Sequence, residues 1–352
     1  MWEDLKMRKN PFKEDLEYIV NYSLPYEQLK GKSVFITGAT GLIGYQLIKA
    51  LLAIGDIQVI ALIRNFSKVN AIYSDRDKEK IKFVVGDIIK PVVINENIDY
   101  IFHCAAITTS KVMIEKPVET LKTAINGTDN ILRLAKEKMA KSVVFISSME
   151  MYGAFNNLKK EVTEDIIGYI DPLKVRSNYP ESKRLCENMC IAYLHEFDVP
   201  VKIARLAQTF GAGILPWENR VFAQFANSVI NKKDIVLHTK GLSEGNYCYT
   251  RDCITGLLTI LLKGVNGEAY NIVNPESHTT ISEMANMVAE KIADKEIKVI
   301  YDIPESNSFG YAADTKMKLN SNKLQALGWL PQIGLEEAYR RMIECMVQSK
   351  YE

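Results

Sequence analysis

The sequence predicts an α/β fold built on a doubly wound parallel sheet, with a smaller α/β lobe in its C-terminal part. Short runs rich in valine and isoleucine alternate with helical segments up to about residue 210. Runs that are apolar on both faces are typical of parallel strands that helices cover on both sides. Beyond residue 210 the helical segments dominate, and only short strands such as "IVLH" separate them.

The predicted elements follow one another in a regular order. Residues 1–30 form a helical lead-in, which "SLPYEQLKGK" interrupts. Strands are predicted at 33–37, 57–63, 81–87, 98–106, 141–148 and 201–207. Helices are predicted at 42–55, 117–139, 180–197, 219–231, 251–263, 281–293 and 334–348. We therefore divide the chain into the lead-in, a core domain at 31–210 and a lobe at 211–352. We expect the lobe to be discontinuous and to share segments with the core domain.

Composition and charge exclude several classes of protein. The 352 residues carry 44 basic and 43 acidic side chains, a balance that gives no reason to expect nucleic acid or an anionic membrane as partner. Six cysteines without a C-x-x-C pair, and only four histidines, argue against a metal site. The N-terminus has no apolar signal region, and "GLLTILL" at 256–262 is too short to cross a bilayer. We expect reduced thiols and a cytoplasmic location.

The first predicted strand leads into a glycine-rich turn, "TGATGLIG", before the first long helix. Gly38 permits a tight turn, Gly41 lets backbone approach a pyrophosphate, and Gly44 lets the helix pack against its strand. The helix N-terminus offers free N–H groups and the positive end of its dipole to the phosphates. A turn of this kind between a strand and a helix predicts a Rossmann-type dinucleotide site, to which the intervening Thr40, Leu42 and Ile43 also belong.

The end of the second strand indicates which dinucleotide binds. An NAD site usually has an acidic residue there, which binds the ribose 2′-hydroxyl. This chain has Ile63, followed by Arg64 and Asn65, with Lys68 close behind. A guanidinium can pair with a 2′-phosphate, so NADP(H) is favoured and NAD(H) remains possible. Alternatively, Arg64 lies over the adenine or faces water.

The segment "YPESK" places Tyr179 and Lys183 on one face of a predicted helix. A phenol can exchange a proton with a carbinol or ketone during hydride transfer, and a nearby ammonium lowers its pKa. The Y-x-x-x-K spacing also occurs at Tyr26/Lys30 and Tyr45/Lys49. The first of these precedes the core domain and the second follows the glycine turn, so we expect only Tyr179 and Lys183 to be catalytic.

Motifs along nearly the whole chain resemble the extended branch of the short-chain dehydrogenase/reductase superfamily. These are "TGxxGxxG" at the glycine turn, "YPESK", "ARLAQTFG" at 204–211, "YTRDCITGLLTIL" and "LGWLP" at 327–331. The resemblance implies that Asp87 and Ile88 contact adenine and that Cys104, Ala105 and Ala106 lie beside the cofactor, with His103 structural. It implies that Ser148 hydrogen-bonds the substrate oxygen. It also implies a nucleotide-sugar substrate, bound by Thr108, Ser148, Glu150, Gln208, Asn219 and Arg220, and a homodimer.

Two positions depart from the commonest pattern of this family. Glu150, in "SSMEMYG", matches a glutamate of the 4,6-dehydratases and uronate decarboxylases, but Met149 replaces the aspartate that some dehydratases carry before it. Glu150 could therefore assist proton removal beside a transient ketone, orient a substrate hydroxyl in a reductase, or have a structural role only. Gly245 stands where the family usually has an arginine for the substrate diphosphate, which leaves Arg220 and Arg251 as candidate cations.

The end of the second strand favours net reduction over a closed redox cycle. We expect an NADPH-dependent reductase of a nucleotide-linked keto-sugar, in the synthesis of polysaccharide precursors. The alternatives are a nucleotide-sugar dehydratase or decarboxylase that uses Glu150 and recycles its cofactor, or a 4-epimerase. A non-catalytic NADP(H)-binding sensor is more remote, because Ser148, Tyr179 and Lys183 are all present.

Overall fold

The structure is a computed structural model that describes residues 9–155, 161–304 and 316–348. Its strands are β1 Lys32–Thr37, β2 Ile57–Ile63, β3 Ile81–Val85, β4 Tyr100–His103, β5 Ser142–Ser148, β6 Val201–Leu206, β7 Gln208–Phe210, β8 Ile235–Leu237, β9 Glu244–Gly245, β10 Tyr247–Tyr249, β11 Ala269–Ile272, β12 Thr279–Thr280 and β13 Val299–Tyr301. Its helices are α1 Pro11–Val20, α2 Leu42–Ile54, α3 Ser67–Ile72, α4 Asp75–Lys78, α5 Ser110–Glu115, α6 Pro117–Glu137, α7 Asn178–Phe197, α8 Val221–Ile230, α9 Thr250–Lys263, α10 Ile281–Met287, α11 Asn322–Gln325 and α12 Leu335–Gln348. Residues 1–8 of the predicted lead-in, and 349–352 of the predicted lobe, lie outside the described residues.

A seven-stranded parallel sheet forms the centre of the molecule, in the order β11-β6-β5-β4-β1-β2-β3. The strand order reverses between β1 and β4, where the crevice at the carboxyl ends of the strands is the usual ligand site of such sheets. The predicted doubly wound, Rossmann-type fold is therefore confirmed.

Helices cover both faces of the sheet, because alternate residues of each strand point to opposite sides. Val34 and Ile36 of β1 pack into a cluster that contains leucines of α2 and α9. Phe35, between them, packs into a second cluster with residues of α6 and α7. Strands that are buried on both faces explain the continuous apolar runs of the sequence.

The C-terminal part contributes to this sheet as well as to a separate cluster. β11 pairs with β6, with Ala269 opposite Ile203, and is the seventh strand of the sheet. Another hydrophobic cluster combines residues of α8, α10 and α12. The division of domains at residue 210 stays a prediction.

Two features of the described residues concern membrane and metal-binding proteins. Within residues 9–155, 161–304 and 316–348, no helix is long and apolar enough to span a bilayer. Across the same residues, no group of three or more histidine, cysteine and acidic side chains is arranged to hold a metal ion.

Candidate active site

The carboxyl ends of β1, β4 and β5 bring three polar side chains to one edge of the sheet. These are Thr37, His103 and Ser148, the last residues of the three strands. The Thr37 hydroxyl lies 2.8 Å from His103 Nδ1 and accepts a hydrogen bond from the Ala105 N–H at 3.0 Å. His103 Nε2 lies 3.3 Å from the Thr128 hydroxyl. Burial lowers the pKa of His103 to about 3, so a neutral imidazole joins β1, β4 and α6.

The glycine turn fits closely between β1 and the segment after β4. Gly38 has a φ of +69°, and a Cβ atom there would lie 2.9 Å from the Ala105 nitrogen and 3.0 Å from the Cys104 carbonyl carbon. At Gly44, a Cβ atom would lie only 2.3 Å from the Gly38 carbonyl oxygen. Any side chain at Gly44 would separate helix α2 from the turn, so the sequence allows the backbone to form a close cradle.

The N-terminus of α2 faces this cradle. Gly41 is its N-cap residue, and no side chain caps the first turn. Its uncapped N–H groups could therefore hold the phosphates of a dinucleotide. Thr40 and Ile43 are half-buried and Leu42 is buried. The close backbone approach and the uncapped helix end together fit a nicotinamide dinucleotide.

The predicted adenosine end lies beyond β2 and β3. Arg64 and Asn65 are both exposed directly after β2, and the Asn65 side chain accepts a hydrogen bond from the Ser67 N–H at 3.1 Å. Asp87 is exposed and accepts from the Ile89 N–H at 3.2 Å. The carboxylate of Asp87 and the guanidinium of Arg64 are thus both accessible to a ligand. Ile88, the next residue after Asp87, is buried.

Ser148, Tyr179 and Lys183 come together at the end of β5. The phenol of Tyr179 and the hydroxyl of Ser148 share a hydrogen bond. Lys183 donates to the Ile146 carbonyl at 2.7 Å, and its Nζ atom lies 5.7 Å from the centre of the Tyr179 ring. Because α7 begins at Asn178, Tyr179 and Lys183 stand one turn apart on the same face.

The charges around Tyr179 act on it in opposite directions. Burial raises the pKa of Tyr179 above its usual value, and the negative charge of Glu150 raises it further. The Ser148 hydrogen bond and the positive charges of Arg176 and Arg220 lower it. Proton exchange by this phenol therefore depends on a carboxylate and two arginines as well as on its serine.

The effect of Lys183 on the tyrosine differs from the sequence prediction. The ammonium was expected to lower the pKa of Tyr179, yet that pKa is raised because burial dominates. Burial also lowers the pKa of Lys183 itself. The lysine is 4% exposed and its amino group is engaged by the Ile146 carbonyl, so desolvation outweighs the predicted stabilisation of a phenolate.

Arg176, which the sequence interpretation missed, forms an ion pair with Glu150. Its Nη2 atom donates to Glu150 Oε2 at 2.9 Å, and the two side chains are 25% and 33% exposed. The guanidinium carbon lies 5.9 Å from the centre of the Tyr179 ring. The signal that could have revealed it is its position three residues before Tyr179, just upstream of the same helix.

The predicted substrate residues have different surroundings. Thr108 and Asn219 are exposed, and Gln208 is half-buried at the start of β7. Arg220 forms two hydrogen bonds with the Glu218 carboxylate, at 2.9 and 2.6 Å. The structure therefore brings Arg220 near enough to act on Tyr179, but its guanidinium is already paired.

Arg251, a candidate replacement for the diphosphate arginine, and Gly245, where the family usually has that arginine, have different surroundings. Arg251 is buried, with its guanidinium carbon 3.9 Å from the centre of the Tyr18 ring and its Nε atom 3.3 Å from Asp252 Oδ1. These contacts engage Arg251 between helices α1 and α9. Gly245, in contrast, lies beside the site, since a Cβ atom there would be 3.6 Å from Met149 Cε.

Two curated proteins are similar to this chain over most of its length. UDP-glucuronic acid decarboxylase 1 of Danio rerio is 28% identical over 321 residues, which cover 89% of this chain and 72% of that protein. UDP-glucuronic acid decarboxylase 6 of Arabidopsis thaliana is 29% identical over 321 residues, which cover 88% of each.

Among solved structures, UDP-glucose 4-epimerase of Thermotoga maritima has a TM-score of 0.77 and 22% identity, covering 91% of this chain and all of the epimerase. At this identity the similarity shows the fold alone. The family model described as "NAD dependent epimerase/dehydratase family" matches residues 34–273, from the first strand through β11. The chain therefore belongs to the NAD dependent epimerase/dehydratase family, within the extended short-chain dehydrogenases/reductases.

Proposed function

We propose that this enzyme decarboxylates a nucleotide-linked hexuronic acid and recycles a tightly held dinucleotide within each turnover. The observation that carries the proposal is the Glu150–Arg176 pair beside Ser148 and Tyr179. A carboxylate at this place matches the decarboxylase and dehydratase alternatives of the sequence interpretation. Both curated relatives described above are UDP-glucuronic acid decarboxylases.

This proposal replaces the NADPH-dependent reductase that the sequence favoured. The argument for a reductase came from Arg64 at the end of β2, which bears on the dinucleotide and not on the reaction. The names of the relatives support the alternative with a recycled cofactor better than net reduction. Arg64 is exposed and directly follows β2, so NADP(H) remains our prediction for the dinucleotide, with NAD(H) as the alternative.

A bound nicotinamide supplies reversible hydride transfer to and from the sugar carbon. Tyr179 accepts the proton of the sugar hydroxyl as that carbon becomes a ketone, and Ser148 donates a hydrogen bond to the oxygen. The neighbouring carbon–carboxylate bond then breaks, carbon dioxide leaves, and the electron pair moves to the ketone oxygen as an enolate. A proton from water then adds to that carbon, with Glu150 placed to direct it, and Tyr179 returns its own proton to the sugar oxygen when hydride comes back.

The test uses the purified protein with UDP-glucuronic acid and no added dinucleotide. We expect release of carbon dioxide, formation of a UDP-pentose, and recovery of a dinucleotide from the denatured protein. Tyr179→Phe should lower the rate about 100-fold or more, since general acid–base groups contribute that much. Tyr45→Phe is the matched control, because Tyr45 has the same Y-x-x-x-K spacing but stacks on Phe12 at 5.9 Å, beside helix α1.

Two outcomes would contradict the proposal. One is stoichiometric oxidation of added NADPH by a nucleotide keto-sugar with no turnover in its absence, which would restore the reductase. The other is loss of water from a neutral nucleotide hexose with no decarboxylation of any uronate. That result would favour a dehydratase, in which Glu150 would assist proton removal.

A further inference from the structure

We propose that Arg176 bridges Glu150 and the carboxylate of the bound sugar, and so selects nucleotide-linked uronic acids over neutral sugars. The proposal rests on the function proposed above and names the residue that recognises its substrate class. The family position that usually carries an arginine is Gly245, beside Met149. That arginine would bind the substrate diphosphate, so recognition of the sugar carboxylate depends on the positive charges beside Tyr179, to which Arg176 contributes.

Electrostatics explains why a uronate needs such a cation at this place. Glu150 presents a carboxylate close enough to Tyr179 to raise its pKa. A second carboxylate, on the sugar carbon next to the reacting hydroxyl, would be repelled by Glu150 unless a positive charge lay between them. Arg176 forms an ion pair with Glu150 and lies beside the tyrosine ring, so a guanidinium placed between the two carboxylates would reduce their repulsion.

Arg176 has hydrogen-bond donors to spare. A guanidinium carries five N–H groups in a planar fork that matches carboxylate oxygens. Its described side-chain hydrogen bond uses Nη2 alone, toward Glu150. With a quarter of the side chain exposed, the remaining donors can reach a ligand in the crevice.

The other arginines around the site are already engaged. Arg184 donates to three backbone carbonyls, and buried Arg205 binds Glu187 through both Nε and Nη2. Arg220 is held by both oxygens of Glu218. Each of these guanidiniums is held through at least two of its nitrogen atoms, whereas the described hydrogen bond of Arg176 uses Nη2 alone.

The backbone that carries Arg176 is held firmly. It lies in a short 3₁₀ turn, Val175–Ser177, directly before helix α7. The Ser177 hydroxyl donates to the Asp171 carbonyl at 2.6 Å, and the Asn178 amide donates to the Met113 carbonyl at 2.7 Å. A fixed turn lets the guanidinium discriminate by position, which a mobile loop would not.

The bridge affects binding more than it affects the chemical step. An ion pair stabilises the carboxylate before carbon dioxide leaves, and it is lost when the neutral product forms. Removing an interaction that is kept in the transition state raises KM alone, and removing one that is lost there raises both KM and kcat. In neither case does loss of the bridge slow the chemical step. After decarboxylation the guanidinium again pairs with Glu150 alone, which favours release of the product.

The experiment compares Arg176→Met and Arg176→Lys with wild-type Arg176 in calorimetric titrations with UDP-glucuronic acid and UDP-glucose. All three proteins carry Tyr179→Phe in the titrations, so that the uronate is not consumed, and kcat is measured with Tyr179 intact. For Arg176→Met, affinity for UDP-glucuronic acid should fall about tenfold or more, as expected for a lost charge-assisted hydrogen bond. Affinity for UDP-glucose should change about twofold or less, as for ordinary surface substitutions. Arg176→Lys should keep part of the preference. Lys174→Met is the matched control, since Lys174 is 73% exposed in the same segment and pairs only weakly with Asp171 at 3.8 Å.

Equal losses for the two ligands would overturn the proposal, because they would place Arg176 on the diphosphate. Unchanged affinities with a lower kcat would also overturn it, because Arg176 would then act on Glu150 alone. The wild type separates these failures from failure of the proposed function. A wild-type enzyme that decarboxylates the uronate, with a preference that Arg176→Met leaves intact, contradicts the bridge only. A wild type that does not bind the uronate contradicts both.

Discussion

At the scale of single residues, Glu150 opposes the ionisation of the tyrosine that it stands beside. Its charge raises the pKa of Tyr179, second only to burial. A phenol that must first accept a proton works less well as its pKa rises above the working pH. The carboxylate is therefore costly for the oxidation step, which is consistent with a separate role for it after the ketone has formed.

Glu150→Gln should move the pH dependence of the first hydride transfer toward lower pH. The substitution keeps the size of the side chain and removes the negative charge that raises the pKa of Tyr179. The deprotonated phenol then becomes available at lower pH, so the rising limb shifts in the acidic direction. Single-turnover measurements of nicotinamide absorbance over a pH series would show the shift, while decarboxylation slows.

Glu181→Gln is the control for this shift. It removes the same charge two residues from Tyr179, but residues i and i+2 of a helix face different directions. Its rising limb should coincide with that of the wild type. A limb that stays in place in Glu150→Gln, or moves to higher pH, would show that this carboxylate does not govern the phenol.

The sequence alone grouped Tyr179 with Lys183, whose catalytic role stays a prediction, but it did not identify Arg176. Its position in the chain separates the Y-x-x-x-K of Tyr179 and Lys183 from the other two occurrences. In the structure Tyr179 shares a hydrogen bond with Ser148, and Lys183 lies beside the Tyr179 ring. The contact between Glu150 and Arg176 joins two residues that are 26 positions apart in the sequence. No periodicity relates two such positions, so only the folded chain shows the pair.

At the scale of elements, strand β6 contains a buried lysine without an acidic partner among its described contacts. Lys202 is 5% exposed, and its Nζ atom donates to the Ser142 hydroxyl at 2.7 Å. Burial lowers the pKa of Lys202 to about 8. The neighbouring strand β5 thus offers a neutral hydroxyl to a group that prefers water when charged.

Lys202→Met should stabilise the protein at neutral pH by about 1–2 kcal/mol, because it removes the cost of burying an ammonium. With a folded pKa of about 8, the unfolded chain binds more protons from there up to the ordinary pKa of lysine near 10.4. Wild-type stability from this residue therefore rises with pH across that interval. The advantage of methionine should shrink correspondingly between pH 8 and 10, measured by urea unfolding.

Lys82→Met, on β3, provides the comparison. Lys82 is 47% exposed and forms a surface ion pair with Glu96. Its replacement should change the free energy of unfolding by about 0.5 kcal/mol or less at neutral pH. If Lys202→Met destabilises the protein at pH 7, the buried ammonium of Lys202 costs less free energy than its lowered pKa implies.

Local sequence pattern predicted the bounds of many strands well. It did not predict which strands pair with each other in the sheet, because that depends on contacts between distant parts of the chain. The bounds of β2 agree with the prediction at both ends, and β4 ends three residues earlier, at His103. β11 lies in the part of the chain assigned to the lobe, which was expected to share segments with the core domain, and it forms the edge of the large sheet beside β6. Its pairing joins Ala269 to Ile203, and no local pattern in either segment specifies that neighbour.

At the scale of the whole molecule, one buried carboxylate connects both ends of the chain. Asp15, in α1, accepts a hydrogen bond from the Tyr249 hydroxyl at 2.6 Å and from Arg341 Nη2 at 2.9 Å. Arg251 lies 3.7 Å away. The first described helix, strand β10 and helices α9 and α12 therefore meet at a single side chain that is 2% exposed.

Asp15 should make the stability of the whole protein depend on pH. Burial raises the pKa of Asp15 to about 6, against the lowering effects of Arg341, Tyr249 and Arg251. Between its ordinary pKa near 3.9 and 6, the folded protein binds more protons than the unfolded chain. Stability from this residue is thus full at low pH, falls as pH rises through the interval, and is lost above it.

Asp15→Asn keeps one acceptor oxygen, which serves Tyr249 or Arg341 but not both, and it cannot ionise. The lost acceptor lowers stability by the same amount at every pH, so the pH dependence of the difference still isolates the ionisation of Asp15. The free energy of unfolding of the wild type minus that of the variant should fall by roughly 2 kcal/mol from pH 4 to pH 7, for a pKa shift of about two units. Urea unfolding at closely spaced pH values would measure the difference. Glu17→Gln, at a position 59% exposed on the same helix, should give a nearly constant difference. A wild-type advantage that grows with pH would mean that the two arginines outweigh burial, and that the ionised carboxylate holds the ends of the chain together.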